Sequence, residues 1–180
     1  MKAFLTTLLA SITLSSPVLA QPLPADHRAL VDSLIEDGVG YYVNTPNDVC
    51  FNPKTPNLNG AYITTSDGNR FLVVCQDLRE DETQTVWTPN DLDTIRHEAI
   101  HAIQDCLDGD KTDGEMVPLF STYEEVIDAY GVENSMAVIS NYLESYADRQ
   151  ADIQLEVEAF YGAENYSGGE VNTWYNTYCR

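Results

Sequence analysis

After an apolar stretch at the N-terminus, apolar positions repeat first with a helical period, then with a strand period, then with a helical one again. Leu30, Val31, Leu34 and Ile35 share one face of a helix that Asp26 can cap and Gly38 can stop. Gly40 to Val43 reads as extended. Residues 44–60, rich in Asn and Pro, read as loop with a short strand around Cys50-Phe51. Ala61 to Thr64 and Arg70 to Cys75 are β-branched and aromatic runs, and the Asp67-Gly68 step between them predicts a hairpin. Thr88-Pro89-Asn90-Asp91 supplies a cap, a proline at the first helical position and an acid in the first turn. The helix it opens runs to about Leu107 and stops near Gly109, with Leu92, Ile95, Ala99, Ile100, Ile103 and Cys106 on one broad side. Ser121 and Glu124 predict a capping box for the next helix, which ends at Gly131.

A last long helix is expected from about Asn134 to Tyr161, with Val138, Ile139, Tyr142, Tyr146, Ile153, Val157 and Phe160 in one packing arc. The aromatic tail, Trp174, Tyr175 and Tyr178, is expected to pack on the domain. These elements imply an α+β fold: a small antiparallel sheet or hairpin, then a central helix, then a long C-terminal helix.

Composition adds a compartment. Lys2, the apolar run Ala3 to Leu14 and Pro17-Val18-Leu19-Ala20 read as a secretory signal peptide over residues 1–20, with Gln21 opening the mature chain. No second long apolar run follows, so no membrane span is expected. Residues 21–180 then form a single domain of ordinary size. Its cysteines, Cys50, Cys75, Cys106 and Cys179, lie in the exported part, which places the protein outside the cell or in a periplasm and implies disulfides. Cys50–Cys75 is the expected pair on sequence proximity. Cys106–Cys179 is expected because it anchors the penultimate residue to the central helix. The formal net charge of −20 argues against nucleic acid and anionic membranes as partners. It fits a solvated surface, or a cleft that attracts cations; the sequence does not place those charges. A monomer is expected.

The candidate chemistry lies in His97-Glu98-Ala99-Ile100-His101 on the central helix. Residues four apart stack on one helix face, so both imidazoles can reach one ion, while Glu98 projects to the side as a general base. The chain has one further histidine, His27, far upstream. The extended metzincin pattern needs Gly and His where Gln104 and Leu107 stand, so a carboxylate is the expected third ligand. Three glutamates of the C-terminal helix compete. Glu156 lies at the edge of the packing arc, whereas Glu144 and Glu158 fall on the opposite side, where solvent is expected. A carboxylate at a buried edge needs a partner, and a metal supplies one; Glu156 is therefore preferred. Its competing role is an ion pair with Arg149.

With these residues the chain resembles the zincin-like metallopeptidases of the gluzincin type. The resemblance covers His97 to His101 and, less specifically, Glu156-Val157-Glu158-Ala159. Several such families carry Glu-x-x-Ala-Asp, whose first Glu binds zinc. Glu156 matches the first four positions, with Phe160 in place of the Asp, while Glu144 to Asp148 matches all five and keeps Glu144 as the alternative. The resemblance implies a sheet beside the active-site helix, a Zn2+ ion held by His97, His101 and Glu156, and hydrolysis of a peptide or protein substrate with Glu98 as base. Tyr142, Tyr146 and Arg149 are positional candidates for stabilising the oxyanion. Two other classes stay open: a metal-binding or peptidase-like module that binds without cleaving, and a disulfide-stapled inhibitor or adhesion domain in which the motif is incidental.

Overall fold

A computed structural model describes residues 22–44, 47–50, 58–77, 86–143 and 150–180. The expected signal peptide lies outside these residues, as do Phe51, Glu144, Tyr146 and Arg149. The elements are α1 (Ala25–Glu36), β1 (Val39–Val43), the single turn α2 (Asn47–Cys50), β2 (Gly60–Thr64), β3 (Arg70–Val74), α3 (Pro89–Cys106), α4 (Tyr123–Tyr130), α5 (Val132–Tyr142), α6 (Gln150–Asn165) and α7 (Gly168–Tyr178). This is an α+β arrangement. Among the described residues no helix is long and apolar enough to cross a membrane.

The sheet has the order β1-β3-β2 and is mixed, not antiparallel as expected. β2 and β3 form the hairpin, with Tyr62 opposite Leu72 and Gly68 taking the left-handed conformation (φ +80°) that the turn requires. β1 joins the far side of β3 in parallel, with Tyr41 opposite Leu72. Asn44 fixes that register: its side chain exchanges two hydrogen bonds with Gln76, at 2.9 and 3.1 Å, just beyond the ends of both strands. β3 is therefore central and apolar on both faces. Leu72 and Val74 enter the main core, while Val73 packs with Cys50 and Cys75 on the other side. Cys50 ends a helical turn rather than lying in a strand.

α3 crosses the middle of the molecule, opened by the reciprocal Thr88–Asp91 capping box. Ile95, Ala99, Ile100 and Ile103 are fully buried against α1, the sheet, α6 and α7. α4 is capped by Thr122, one residue later than expected; Glu125, not Glu124, reaches back to the Ser121 amide. The long C-terminal helix is instead two helices, α5 and α6, packed against each other. Val138 of α5 and Ile153 and Val157 of α6 meet in one cluster, so the anticipated face packs, but across a helix pair. The tail forms α7, whose Ser167–Glu170 capping box is legible as Ser-x-x-Glu. Both expected disulfides are present, Cys50–Cys75 with Cα atoms 5.2 Å apart and Cys106–Cys179 with 5.5 Å, the second tying α7 to α3. Two smaller differences concern α1. Asp26 bonds His27 instead of capping, and Ile35 is 50% exposed rather than in the core.

Candidate functional site

His97 and His101, one turn apart on α3, face the same side of the helix, and their Nε2 atoms lie 3.1 Å apart. α6 packs across them and places Glu156 Oε2 at 3.4 Å from His97 Nε2 and 3.8 Å from His101 Nε2. That carboxylate oxygen is buried and accepts no hydrogen bond. One donor atom from each of these residues lies within 4.8 Å of the other two, a spacing that can hold a single ion. Glu144 lies outside the described residues. Glu158 is 1% exposed, so the expectation of a solvent position for it is wrong. Its Oε2 accepts from the Leu119 amide at 2.7 Å and from Gln104 Nε2 at 3.0 Å, and its Oε1 from the Phe120 amide and Gln154. A helix buried on several sides leaves no solvent face at that position.

Glu158 acts on the histidines through Gln104. The Gln104 amide donates to Glu158 and to the Leu155 carbonyl, which turns its Oε1 toward His101 Nδ1 at 2.7 Å. His101 Nδ1 is thereby the nitrogen that donates to Gln104, and Nε2 is the one turned to His97 and Glu156. From the sequence, Glu158 is weighed only as a competing ligand and Gln104 only as a departure from the metzincin pattern; neither is given this supporting role. The available signal was spacing, since Gln104 follows His101 by three residues and shares its side of the helix. Phe160, standing where an Asp completes the Glu-x-x-Ala-Asp pattern, lays its ring edge-on to His97 with centroids 4.5 Å apart. Tyr142 lies beyond it, 6.1 Å from Phe160 by ring centroids.

Glu98 is buried beside this trio. Burial pushes its carboxyl above the usual carboxylate range, while His97, His101 and the Tyr62 backbone amide pull against that shift. Burial alone makes a charged His101 unfavourable, but Glu156, Glu98 and Gln104 raise it to about 9. Glu156 moves the opposite way: burial would raise it, and the two histidines hold it well below the carboxylate range. Gly60 makes the close approach of β2 to α3 possible, because a Cβ there would meet Thr94 Cγ2 at 2.5 Å and the Val73 carbonyl at 2.8 Å. Tyr62 is held from the other end, its hydroxyl donating to buried Asp105 at 2.6 Å.

The cleft runs to both sides of His97 and Glu98, with Leu58, Gly60 and Tyr142 common to its two lobes. Asp93 and Glu164 border one lobe, Glu115 and Asp152 the other. His27 takes no part. It is buried in α1, with Nδ1 3.0 Å from Asp26 and Nε2 accepting from Arg96 at 2.7 Å. Comparison with protein-family models, with curated proteins and with solved structures finds no match to the chain.

Proposed function

We propose that this protein is an exported zinc-dependent peptidase. The observation that carries the reading is the convergence of His97, His101 and the unsatisfied Glu156 oxygen beside a buried Glu98. A buried carboxylate oxygen that accepts no hydrogen bond beside two imidazole nitrogens is costly, and a cation between them, a metal ion in place of a proton, relieves it. Three N/O donors with a fixed imidazole tautomer suit zinc, which leaves one position for water or substrate. When bound there, zinc polarises a water and a substrate carbonyl.

The remaining work falls to the chain. Glu98 Oε, its pKa raised above the usual carboxylate range by burial, accepts the proton of the attacking water and returns it to the leaving amine nitrogen. The Tyr62 amide holds that carboxylate in place. Gln104 and Glu158 keep the His101 ring oriented. The outer edge of β2, opposite its pairing with β3, borders the cleft, a position from which an extended peptide can add as a further strand. Tyr142, on the cleft wall, is the described candidate for an oxyanion donor. The disulfides are compatible with an extracellular setting.

The test pairs metal analysis with one substitution. Wild type and Glu98→Gln are both expected to hold about one zinc per chain, while peptide cleavage falls by about two to four orders of magnitude in Glu98→Gln, the usual worth of general acid–base catalysis. Zinc without cleavage of any peptide in a broad library assigns a binding module instead. Protein without metal under non-chelating conditions overturns the reading.

A further inference from the structure

The acidity of the chain acquires a location in the structure. Both lobes of the cleft are bordered by carboxylates, Asp93 and Glu164 on one side and Glu115 and Asp152 on the other, and no Lys or Arg lines either lobe among the described residues. Of the described cations, only Arg96 meets a cleft carboxylate, Asp93, and it also reaches His27 and the Ala163 carbonyl. Arg70 and Lys111 bind Asp37, Arg180 pairs with Glu36, and Arg28 donates to the Leu23 carbonyl. Lys111 is the telling one: it sits in the same loop as Asp108, Asp113 and Glu115, yet its ammonium donates to Asp37 and to the Cys179 carbonyl. Those loop carboxylates are left exposed, with oxygens within 4.8 Å of one another. Glu115 is the member that enters the cleft, in the lobe that also holds His101 and the unsatisfied Glu156 oxygen.

We propose that the cleft selects cationic peptides, with a Lys or Arg side chain of the substrate received at Glu115 in the lobe beside His101 and Glu156. This rests on the peptidase reading for its cleavage step but not for its binding step. A peptide laid along β2 passes Glu115 on one side of the histidines and Glu164 on the other, and a substrate ammonium or guanidinium there supplies the charge that Lys111 does not. The net charge of −20 adds long-range attraction for the same class of ligand.

The experiment reads binding and cleavage separately. Fluorescein-labelled decapeptides differing only by Lys or norleucine at one position are titrated into zinc-loaded Glu98→Gln protein, and their kcat/KM is measured with wild type. The expected result is a preference for Lys on the order of tenfold at low salt, shrinking severalfold near 0.5 M salt as exposed charges are screened. Glu115→Gln is expected to reduce the preference to about threefold, since one of several carboxylates is lost. Equal binding and equal cleavage of the Lys and norleucine peptides overturn the charge selection while leaving the peptidase reading intact. Tenfold tighter Lys binding with no cleavage of either peptide overturns the peptidase reading alone. Calcium ions that raise the melting temperature through Glu115 and Asp113, with no Lys preference, assign the loop carboxylates to a cation instead and overturn the proposal.

Discussion

Two clusters of largely buried polar groups, one at the middle of α3 and one beyond its C-terminal end, are solved in opposite ways. At Asp37 the chain supplies every partner: Lys111 donates at 2.9 and 3.1 Å, the Tyr175 hydroxyl at 2.6 Å, and Arg70 lies at 3.5 Å. Burial alone would raise this carboxyl, but Lys111, Tyr175 and Arg70 hold it below its ordinary range. The cluster joins α1, the start of β3, the loop after α3 and α7. At His97, His101 and Glu156 the chain supplies only atoms that look for a positive charge. The raised pKa of His101, about 9, is a proton taking the place of that charge. The Asp37 cluster is complete in itself, whereas the proposed metal site balances its carboxylate with a proton that an ion can replace.

The largest expected effect separates the two clusters directly. His101→Ala should weaken zinc binding by more than about a hundredfold, because disturbing even an outer hydrogen-bond partner of a ligand costs about ten- to a hundredfold. Asp37→Ala should leave zinc affinity within about threefold and lower unfolding free energy by about 3 kcal/mol, as expected when a carboxylate is removed from charged partners that stay partly buried. Zinc titration and chemical denaturation of both variants check the pair. Loss of metal from Asp37→Ala would mean that the clusters are not independent.

A step down in size is Gln104→Leu, which removes the bond to His101 Nδ1 and leaves the ligands in place. Zinc affinity is expected to fall about ten- to a hundredfold. Stability should fall as well, because Glu158 loses one of its donors. Glu158→Gln should reproduce the affinity loss in weaker form, and an unchanged affinity in both variants would show that the imidazole needs no support.

This network also marks where the sequence stopped being legible. The cap at Thr88, the hairpin around Gly68 and the stacking of His97 with His101 follow from local rules, and the structure shows all three. Glu156 was preferred from its phase on a single helix, yet α5 and α6 are separate, and the packing of α6 on α3 is what carries Glu156 to the histidines. Glu158 was misplaced for the same reason. A helix wheel has one inside, but α6 meets α3 on one side and α4 and α5 on others, so Glu158 is fully buried and Glu156, two residues earlier, keeps only 13% of its side chain exposed. The parallel pairing of β1 depends on Asn44 meeting Gln76 across 32 residues, which no local pattern announces.

At the proposed site a metal and a proton would compete for the same nitrogen, so pH sharpens the comparison next. The His101 pKa is raised above its unfolded value, so without metal its contribution to stability is complete below about pH 6.5 and is lost as pH rises through about 9. Glu156 is depressed, so its contribution is present above the ordinary carboxylate range and is lost as pH falls below it. Zinc must displace the His101 proton. Its affinity should therefore rise up to about tenfold per pH unit between about 6.5 and 9, with about one proton released per ion at pH 7. Calorimetry in buffers of different ionisation enthalpy reads that proton count. A count near zero at pH 7 would mean that His101 is already neutral and that no proton fills the charge gap.

The smallest effect comes from the residue beside Asp37. Glu36 carries the same charge and has a cation partner of its own, Arg180 at 3.1 Å, yet its side chain is 69% exposed against 20% for Asp37. Water already solvates Glu36, so the pair gains little Coulomb energy and must order two long side chains. Glu36→Gln should therefore change unfolding free energy by no more than about 0.5 kcal/mol and leave zinc affinity unaltered. Set against Asp37→Ala, this adjacent substitution holds sequence position nearly constant and varies burial. If denaturation midpoints showed the two costing the same, the stability of that corner would come from net charge near the end of α1 rather than from the completed buried cluster.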